Sequence, residues 1–165
     1  MRSTCASVSA DYASRVPDTI DGIPLHPLVV HGAVVLVPLA ALGVIAIALV
    51  PKWRQRFGIL VMGGAVVAAV TVFVARQTGQ HLRESFGESE LIDQHADLGD
   101  KALLGAVPLV LAAVALWWLG RLQRQDQPVP SWVWWAVPAI SVVVAVAALV
   151  QIVLIGHSGA KAVWG

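Results

Sequence analysis

The sequence predicts an all-α membrane protein, a bundle of four transmembrane helices with a helical hairpin protruding on the extracytoplasmic side. Two observations lead to this fold class. The 165-residue chain is 58% hydrophobic and 13% charged, whereas charged residues make up about a quarter of an ordinary soluble domain. Four apolar stretches are long enough to cross a membrane, and the polar residues are concentrated between them. The net charge of +1 and the lack of a Lys/Arg run argue against nucleic-acid binding.

The four apolar stretches cover about residues 28–50, 57–76, 101–120 and 133–156. Each provides roughly the 20 residues that a helix needs to span the hydrocarbon core. Residues 1–24 mix Ser, Asp and Arg without the apolar core of a secretory signal, so we expect a disordered extracytoplasmic tail there. The four-span helical domain then covers residues 25–165.

Two short connections, 51–56 and 121–132, carry a high density of cations next to span ends: Lys52, Arg54, Arg56, Arg121 and Arg124. This density favours the cytoplasmic side for both connections. Six tryptophans mark the same ends of the spans, as in an interfacial aromatic belt: Trp53, Trp117, Trp118, Trp132, Trp134 and Trp135. We therefore predict a multi-pass protein of the bacterial inner membrane with both termini and the 77–100 connection outside the cytoplasm.

The 77–100 connection predicts a helical hairpin beyond the membrane. The second helix continues past its apolar stretch without a proline. Apolar residues between Leu91 and Ala102 recur at helical spacing, so we predict that the third helix begins before its own apolar stretch. A turn near Gly87 and Glu88 would place His81 and His95, each seven residues from position 88, at the same height.

All five histidines lie on the predicted extracytoplasmic side: His26, His31, His81, His95 and His157. A single histidine at a span end usually makes interfacial hydrogen bonds, but five on one side indicate a binding site. His26 and His31 are about 140° apart around a helix, so they do not chelate one ion from one face. Within the fourth span, we expect Gln151 to hydrogen-bond a neighbouring helix.

Three motifs resemble a large family of small bacterial four-span proteins whose domain has no known function. The motifs are Gly22-Ile-Pro-Leu-His26-Pro27-Leu-Val-Val-His31, then His95-Ala-Asp-Leu-Gly99, then Gly156-His157-Ser-Gly159. The resemblance covers about residues 22–165, and it does not extend to His81. Because that domain occurs joined to or beside Rieske-type and cytochrome domains, the resemblance implies redox chemistry with such partners.

Haem b fits the predicted site best, because it needs axial histidines from different helices, an apolar slot and small residues beside the ring. The first choice of ligands comes from His31, His95 and His157, with His26 and His81 as further candidates and Gly99 and Gly159 beside the ring. A zinc or copper ion bound by three or four histidines is the alternative. A structural accessory subunit, whose histidines only make hydrogen bonds, is the third reading.

The inner half of each span lacks ionisable residues, so the sequence shows no proton or ion path across the membrane. A one-sided redox role remains, either electron exchange between membrane quinol and an extracytoplasmic carrier or haem-assisted anchoring of a respiratory complex. Such a protein is an electron-transfer or accessory subunit rather than a stand-alone enzyme. Glycines in the second span, such as Gly63 and Gly64, suit helix packing within the bundle or in a homo-oligomer.

Overall fold

Five helices and one short strand pair make up the described part of the chain. A computed structural model describes residues 19–20, 23–85 and 90–164, with side chains described for 25–80, 90 and 93–161. The strands are β1 (Thr19–Ile20) and β2 (Ile23–Pro24), which pair antiparallel with Ile20 opposite Ile23. The helices are α1 (Leu25–Leu49), α2 (Pro51–Ser85), α3 (Glu90–Asp100), α4 (Leu103–Arg124) and α5 (Val133–Trp164). Residues 1–18, 21 and 22 of the predicted tail lie outside the described residues.

Helices α1, α2, α4 and α5 form a four-helix bundle, and α3 lies at one end of it. Around the bundle α1 is flanked by α2 and α5, and α4 closes the ring between those two. The core contains many alanines, including Ala41, Ala113 and Ala145, each with 0% of its surface exposed. Small side chains let helix backbones approach closely, which is how helices associate where lipid is the solvent.

The outward faces of the four bundle helices are apolar. Large exposed side chains occur along all of them, for example Leu39, Leu60, Leu111 and Val143 at 60%, 71%, 62% and 68% exposure. Four segments are long and apolar enough to cross a membrane: Leu25–Leu49, Pro51–Gln80, Asp93–Arg124 and Val133–Lys161. The predicted fold class and the four spans are confirmed, and the chain is a multi-pass membrane protein.

The helical hairpin is present, with one difference in its second arm. Helix α2 continues beyond its apolar stretch to Ser85, and α3 begins at Glu90, as the sequence predicts; the turn at 87 and 88 lies outside the described residues. The third helix is not continuous, because a turn at Lys101 and Ala102 separates α3 from α4. There the amides of Lys101 and Ala102 bond to carbonyls three residues back, at 3.2 and 3.0 Å, instead of four.

The end of the bundle that carries the predicted tryptophan belt, here the tryptophan end, is held by a buried arginine. Arg54, in the first turn of α2, is 3% exposed. Its Nε donates to the carbonyl of Ile47 at 3.1 Å and its Nη2 to that of Ala48 at 2.9 Å. These carbonyls belong to the last turn of α1, where no further helical amide can reach them. Arg54 is therefore a cap for α1, and its stem packs against Gly120 of α4.

Replacing Arg54 with methionine should lower the free energy of unfolding by about 1–3 kcal/mol, because two buried carbonyls lose their donors. Arg54→Lys should recover part of the loss, since a single ammonium replaces a fork of donors. Thermal denaturation in detergent measures the effect. Arg56→Met is the matched control, because Arg56 is exposed and lies over the Phe57 ring at 5.4 Å. Equal destabilisation by both methionine variants would contradict the capping role.

Candidate histidine site

The opposite end of the bundle, here the histidine end, brings together the start of α1, the later part of α2, all of α3 and the end of α5. It contains each histidine whose side chain the structure describes: His26, His31, His95 and His157. His81 lies in α2, but its side chain lies outside the described residues. Two of the four described imidazoles lie between helices, and two lie on the surface.

His26 lies between α1 and α2. Its Nδ1 is 3.0 Å from the carbonyl oxygen of Ala75 and 3.2 Å from Oγ1 of Thr78. A carbonyl oxygen can only accept, so Nδ1 carries the hydrogen, and the lone pair of the neutral ring is on Nε2. The ring also covers Gly79 so closely that a Cβ built on that glycine would lie 2.8 Å from Cε1 of His26. A glycine is therefore needed on α2 to make room for the imidazole.

His95 has the same arrangement between α3 and α5. Its Nδ1 is 3.0 Å from Oγ of Ser158, and that hydroxyl donates its own hydrogen to the carbonyl of Ile155 at 2.8 Å. Ser158 therefore accepts from His95, which again puts the ring hydrogen on Nδ1 and the lone pair on Nε2. The ring covers Gly159, where a Cβ would lie 3.0 Å from Cε1 of His95.

His26 and His95 form a pair at the histidine end. The helices around them pack together at this end, because α3 contacts α2 as well as α5, and His26 lies between α1 and α2. Both rings are partly buried, and both use Nδ1 in their hydrogen bonds to described residues. Among those residues, neither Nε2 atom has a hydrogen-bonded partner. The pair thus offers two neutral imidazole nitrogens from different helices, each with its ring orientation fixed by a hydrogen bond at Nδ1.

The turn at Lys101 and Ala102 lets α3 lean against α5 and α2. Asp100, the last residue of α3, accepts from Nε of Arg76 at 2.9 Å and from Nε2 of Gln80 at 3.2 Å. Gln151 of α5 donates to the carbonyl of Lys101 at 2.7 Å, which confirms its predicted interhelical hydrogen bond. These contacts fix both sides of the turn and so determine where α3 places His95.

His31 and His157 are exposed and do not belong to the pair. Nδ1 of His31 bonds to the carbonyl of Pro27, one turn earlier in its own helix, at 2.6 Å. His157 is on α5 beside Ser158, but about 100° around the helix from it.

Among the residues that the structure describes, no three or more His, Cys, Asp or Glu side chains are grouped as for a metal ion. Of the three first-choice ligands, His31, His95 and His157, the pair contains His95.

The two glycines that the sequence placed beside the ligand differ in their surroundings. Gly159 is the contact surface for His95, whereas a Cβ on Gly99 would meet no atom within 4 Å although Gly99 is partly buried. Sequence reasoning missed Thr78, Gly79 and Ser158 as supports of the imidazoles. A signal was present for Ser158, which lies inside the Gly156-His157-Ser-Gly159 motif.

The fold and the histidine end define a class, the four-span helical membrane proteins with polar side chains gathered at one end of the bundle. Residues 22–165 match a family described as "Predicted membrane protein (DUF2231)", and the chain belongs to this family. Searches of the curated proteins and of the solved structures found no match. The family assignment agrees with the four-span family of unknown function that the motifs resemble.

The hydrogen bonds predict that neutral His26 and His95 both carry their hydrogen on Nδ1, the minor form of free histidine. Long-range ¹H–¹⁵N spectra of protein labelled with ¹⁵N-histidine distinguish the two forms. His26→Gln and His95→Gln assign the signals. Detection of hydrogen on Nε2 of either neutral ring would contradict the hydrogen bonds described above.

Gly79→Ala should displace the His26 ring and destabilise the protein by about 1–3 kcal/mol, as expected when a methyl group is forced into a packed contact. Gly64→Ala is the matched control in the same helix, because a Cβ there meets no atom within 4 Å. Alanine has the higher helix propensity, so this control should be neutral or stabilising. Thermal denaturation measures both, and a neutral Gly79→Ala would show that His26 does not rest on this glycine.

Proposed function

We propose that the protein binds haem b at the histidine end, where His26 and His95 would hold it, and acts as an electron-transfer subunit of a respiratory complex. The observation that carries the proposal is the pair itself: two partly buried imidazoles on different helices, each with Nδ1 hydrogen-bonded and Nε2 free of described partners. Helix bundles commonly hold haem in this manner, between side chains of facing helices.

The donor set suits haem iron. A metal-binding histidine usually donates its other ring N–H to a carbonyl or similar acceptor, which fixes the tautomer and makes the ligating nitrogen more basic. His26 has such an acceptor in Ala75, and His95 has one in Ser158. Neutral imidazole is a common protein ligand of haem iron, so Nε2 of His26 and Nε2 of His95 would hold the group. When bound, haem would supply one-electron chemistry between ferric and ferrous iron.

The residues of the chain would hold the haem and determine how accessible the haem is. Thr78 and Ser158 orient the two imidazoles, and the ion pair between Arg76 and Asp100 holds the last residue of α3 against α2. The open space beside Gly99 suits one edge of a flat macrocycle, and apolar side chains of the bundle lie below the pair. The site would therefore exchange electrons at one surface of the membrane.

The cation density and the tryptophan positions support an orientation with the histidine end outside the cytoplasm of a bacterial inner membrane. Its electron partner there would be an extracytoplasmic carrier of the Rieske or cytochrome type, in line with the domains that the resemblance associates with this fold. A zinc or copper site is the second candidate. Tetrahedral zinc needs up to four ligands, and the described residues provide no group of three.

The test is the absorption spectrum of protein purified from haem-supplied cells. The wild type should show a Soret band that shifts on reduction with dithionite, with the six-coordinate low-spin signature of two axial imidazoles. His26→Ala and His95→Ala should each lose this signature. Ser158→Ala, which removes only the hydrogen bond at Nδ1, should weaken haem binding on the order of ten- to a hundredfold.

Gln94→Ala is the matched control, since Gln94 precedes His95 on α3 but is exposed and bonds to Glu90 of its own helix. A colourless preparation containing stoichiometric zinc or copper would select the metal-ion alternative. A colourless, metal-free preparation in which the histidine variants only reduce stability would select the accessory subunit. Loss of the Soret band in His31→Ala and His157→Ala, but not in His26→Ala, would show that the haem is held by the ligands first chosen from the sequence and not by His26.

A further inference from the structure

The tryptophan end of the bundle carries three exposed cations, here the cation cluster. Lys52 lies in the first turn of α2, and Arg121 and Arg124 lie in the last turn of α4. All three side chains are exposed, and none of them forms an ion pair with another residue that the structure describes. Arg54 does not belong to the cluster, because its guanidinium is buried on the carbonyls of α1.

The cation cluster occupies one layer of the bundle. Arg54 packs on Gly120, where a Cβ would lie 3.0 Å from Cγ of Arg54, so these two residues are level. Lys52 precedes Arg54 by two residues, whereas Arg121 and Arg124 follow Gly120 by one and four. Because α2 begins at this end and α4 finishes there, all these steps lead toward the same rim. The three cations therefore lie within about 6 Å of one another in depth.

The depth of the cation cluster follows from the ends of the apolar segments. The second of the four segments begins at Pro51, and the third ends at Arg124. In a chain that crosses a membrane, residues at such ends lie among the lipid headgroups. Trp53 and Trp118 are 51% and 54% exposed on the same two helices, as is typical of tryptophans at the headgroup level.

The positive charge of the tryptophan end is hardly balanced. Asp126 is the one carboxylate in residues 50–56 and 121–132, and it makes no ion pair with a residue that the structure describes. Its position has a backbone reason, because its φ of 49° lets the amide of Gln127 bond to the carbonyl of Leu122 at 3.2 Å and so end α4. The histidine end, by contrast, contains the carboxylates of α3: Glu90, Asp93, Asp97 and Asp100.

We propose that the cation cluster binds the phosphate of an anionic phospholipid whose acyl chains lie along the outer faces of α2 and α4. A phosphate accepts charge-assisted hydrogen bonds from ammonium and guanidinium groups. The chains fit the exposed apolar residues farther along both helices, such as Ile59 and Leu111 at 60% and 62% exposure. An anionic headgroup is favoured over a zwitterionic one, which would bring a further cation into the cluster. The inference is independent of the proposed function, which concerns the opposite end.

Tryptophan fluorescence tests this lipid site in the full chain. The vesicles contain equal amounts of phosphatidylglycerol and phosphatidylcholine, with one lipid or the other brominated as the quencher. Quenching reports on the tryptophan end, because six of the seven tryptophans lie there: Trp53, Trp117, Trp118, Trp132, Trp134 and Trp135. The wild type should prefer phosphatidylglycerol on the order of tenfold or more. Arg124→Gln should lower this preference about fivefold, the effect of one cation beside an anionic headgroup.

Three further variants separate a phosphate site from a structural effect. Arg124→Lys keeps the charge and should keep most of the preference. Asp126→Asn should raise the preference, because Asn also adopts the left-handed backbone but carries no negative charge. Lys161→Gln is the matched control, since it removes one exposed cation from the histidine end and should change nothing.

Four results would overturn the lipid site. The first is equal quenching of the wild type by the two brominated lipids, and the second is an unchanged preference in Arg124→Gln. The third is an equal loss of preference in Lys161→Gln. Displacement of the lipid by inorganic phosphate, at an ionic strength at which chloride does not displace it, would assign the cluster to a free anion. Equal quenching together with cross-linking of Lys52 to an acidic protein in native membranes would assign it to a protein partner.

Discussion

The hydrogen bond between His95 and Ser158 is the contact on which the histidine end depends. It joins α3, which crosses no membrane by itself, to α5, one of the four bundle helices. Gly159 provides the surface on which the ring rests, and Asp100 fixes the other end of α3 through Arg76. Without this docking, His26 would be a single interfacial histidine, and the two-imidazole arrangement would not exist.

At both ends of the bundle a side chain from another helix bonds to backbone carbonyls at a break between helices, but the contacts differ. In hydrocarbon every backbone polar group needs a partner within the protein, so breaks between helices must be satisfied by side chains. At the tryptophan end Arg54 covers the last carbonyls of α1, and at the histidine end Gln151 covers the carbonyl of Lys101 beside the turn. Arg54 closes a tight helix connection, whereas the turn at Lys101 frees α3 to carry a functional side chain.

Hydropathy and helical spacing were sufficient to predict the four spans, the continuation of α2 to its polar end and the bond of Gln151. These features depend on length and on the cost of polar groups in lipid, both of which can be read along the chain. The partners of the imidazoles were not predictable, because they depend on how each helix is rotated about its axis. His26 and His31 illustrate this: both lie in one motif, yet the ring of His26 lies against α2 and the ring of His31 is exposed. Arg54 was expected only as a flanking cation, since the sequence predicts the short connection but not the side on which the Arg54 guanidinium lies.

The most direct test of the account is whether positions 26 and 95 meet in the membrane. In a Cys5→Ser background, the double variant His26→Cys/His95→Cys should form an intramolecular cross-link with a bismaleimide of about 8 Å span, in native membranes and without any cofactor. A cross-link confined to one chain is the predicted result. Failure of the two thiols to cross-link, while each alone reacts with a monofunctional maleimide, would show that α3 does not bring His95 to His26 and would contradict the account.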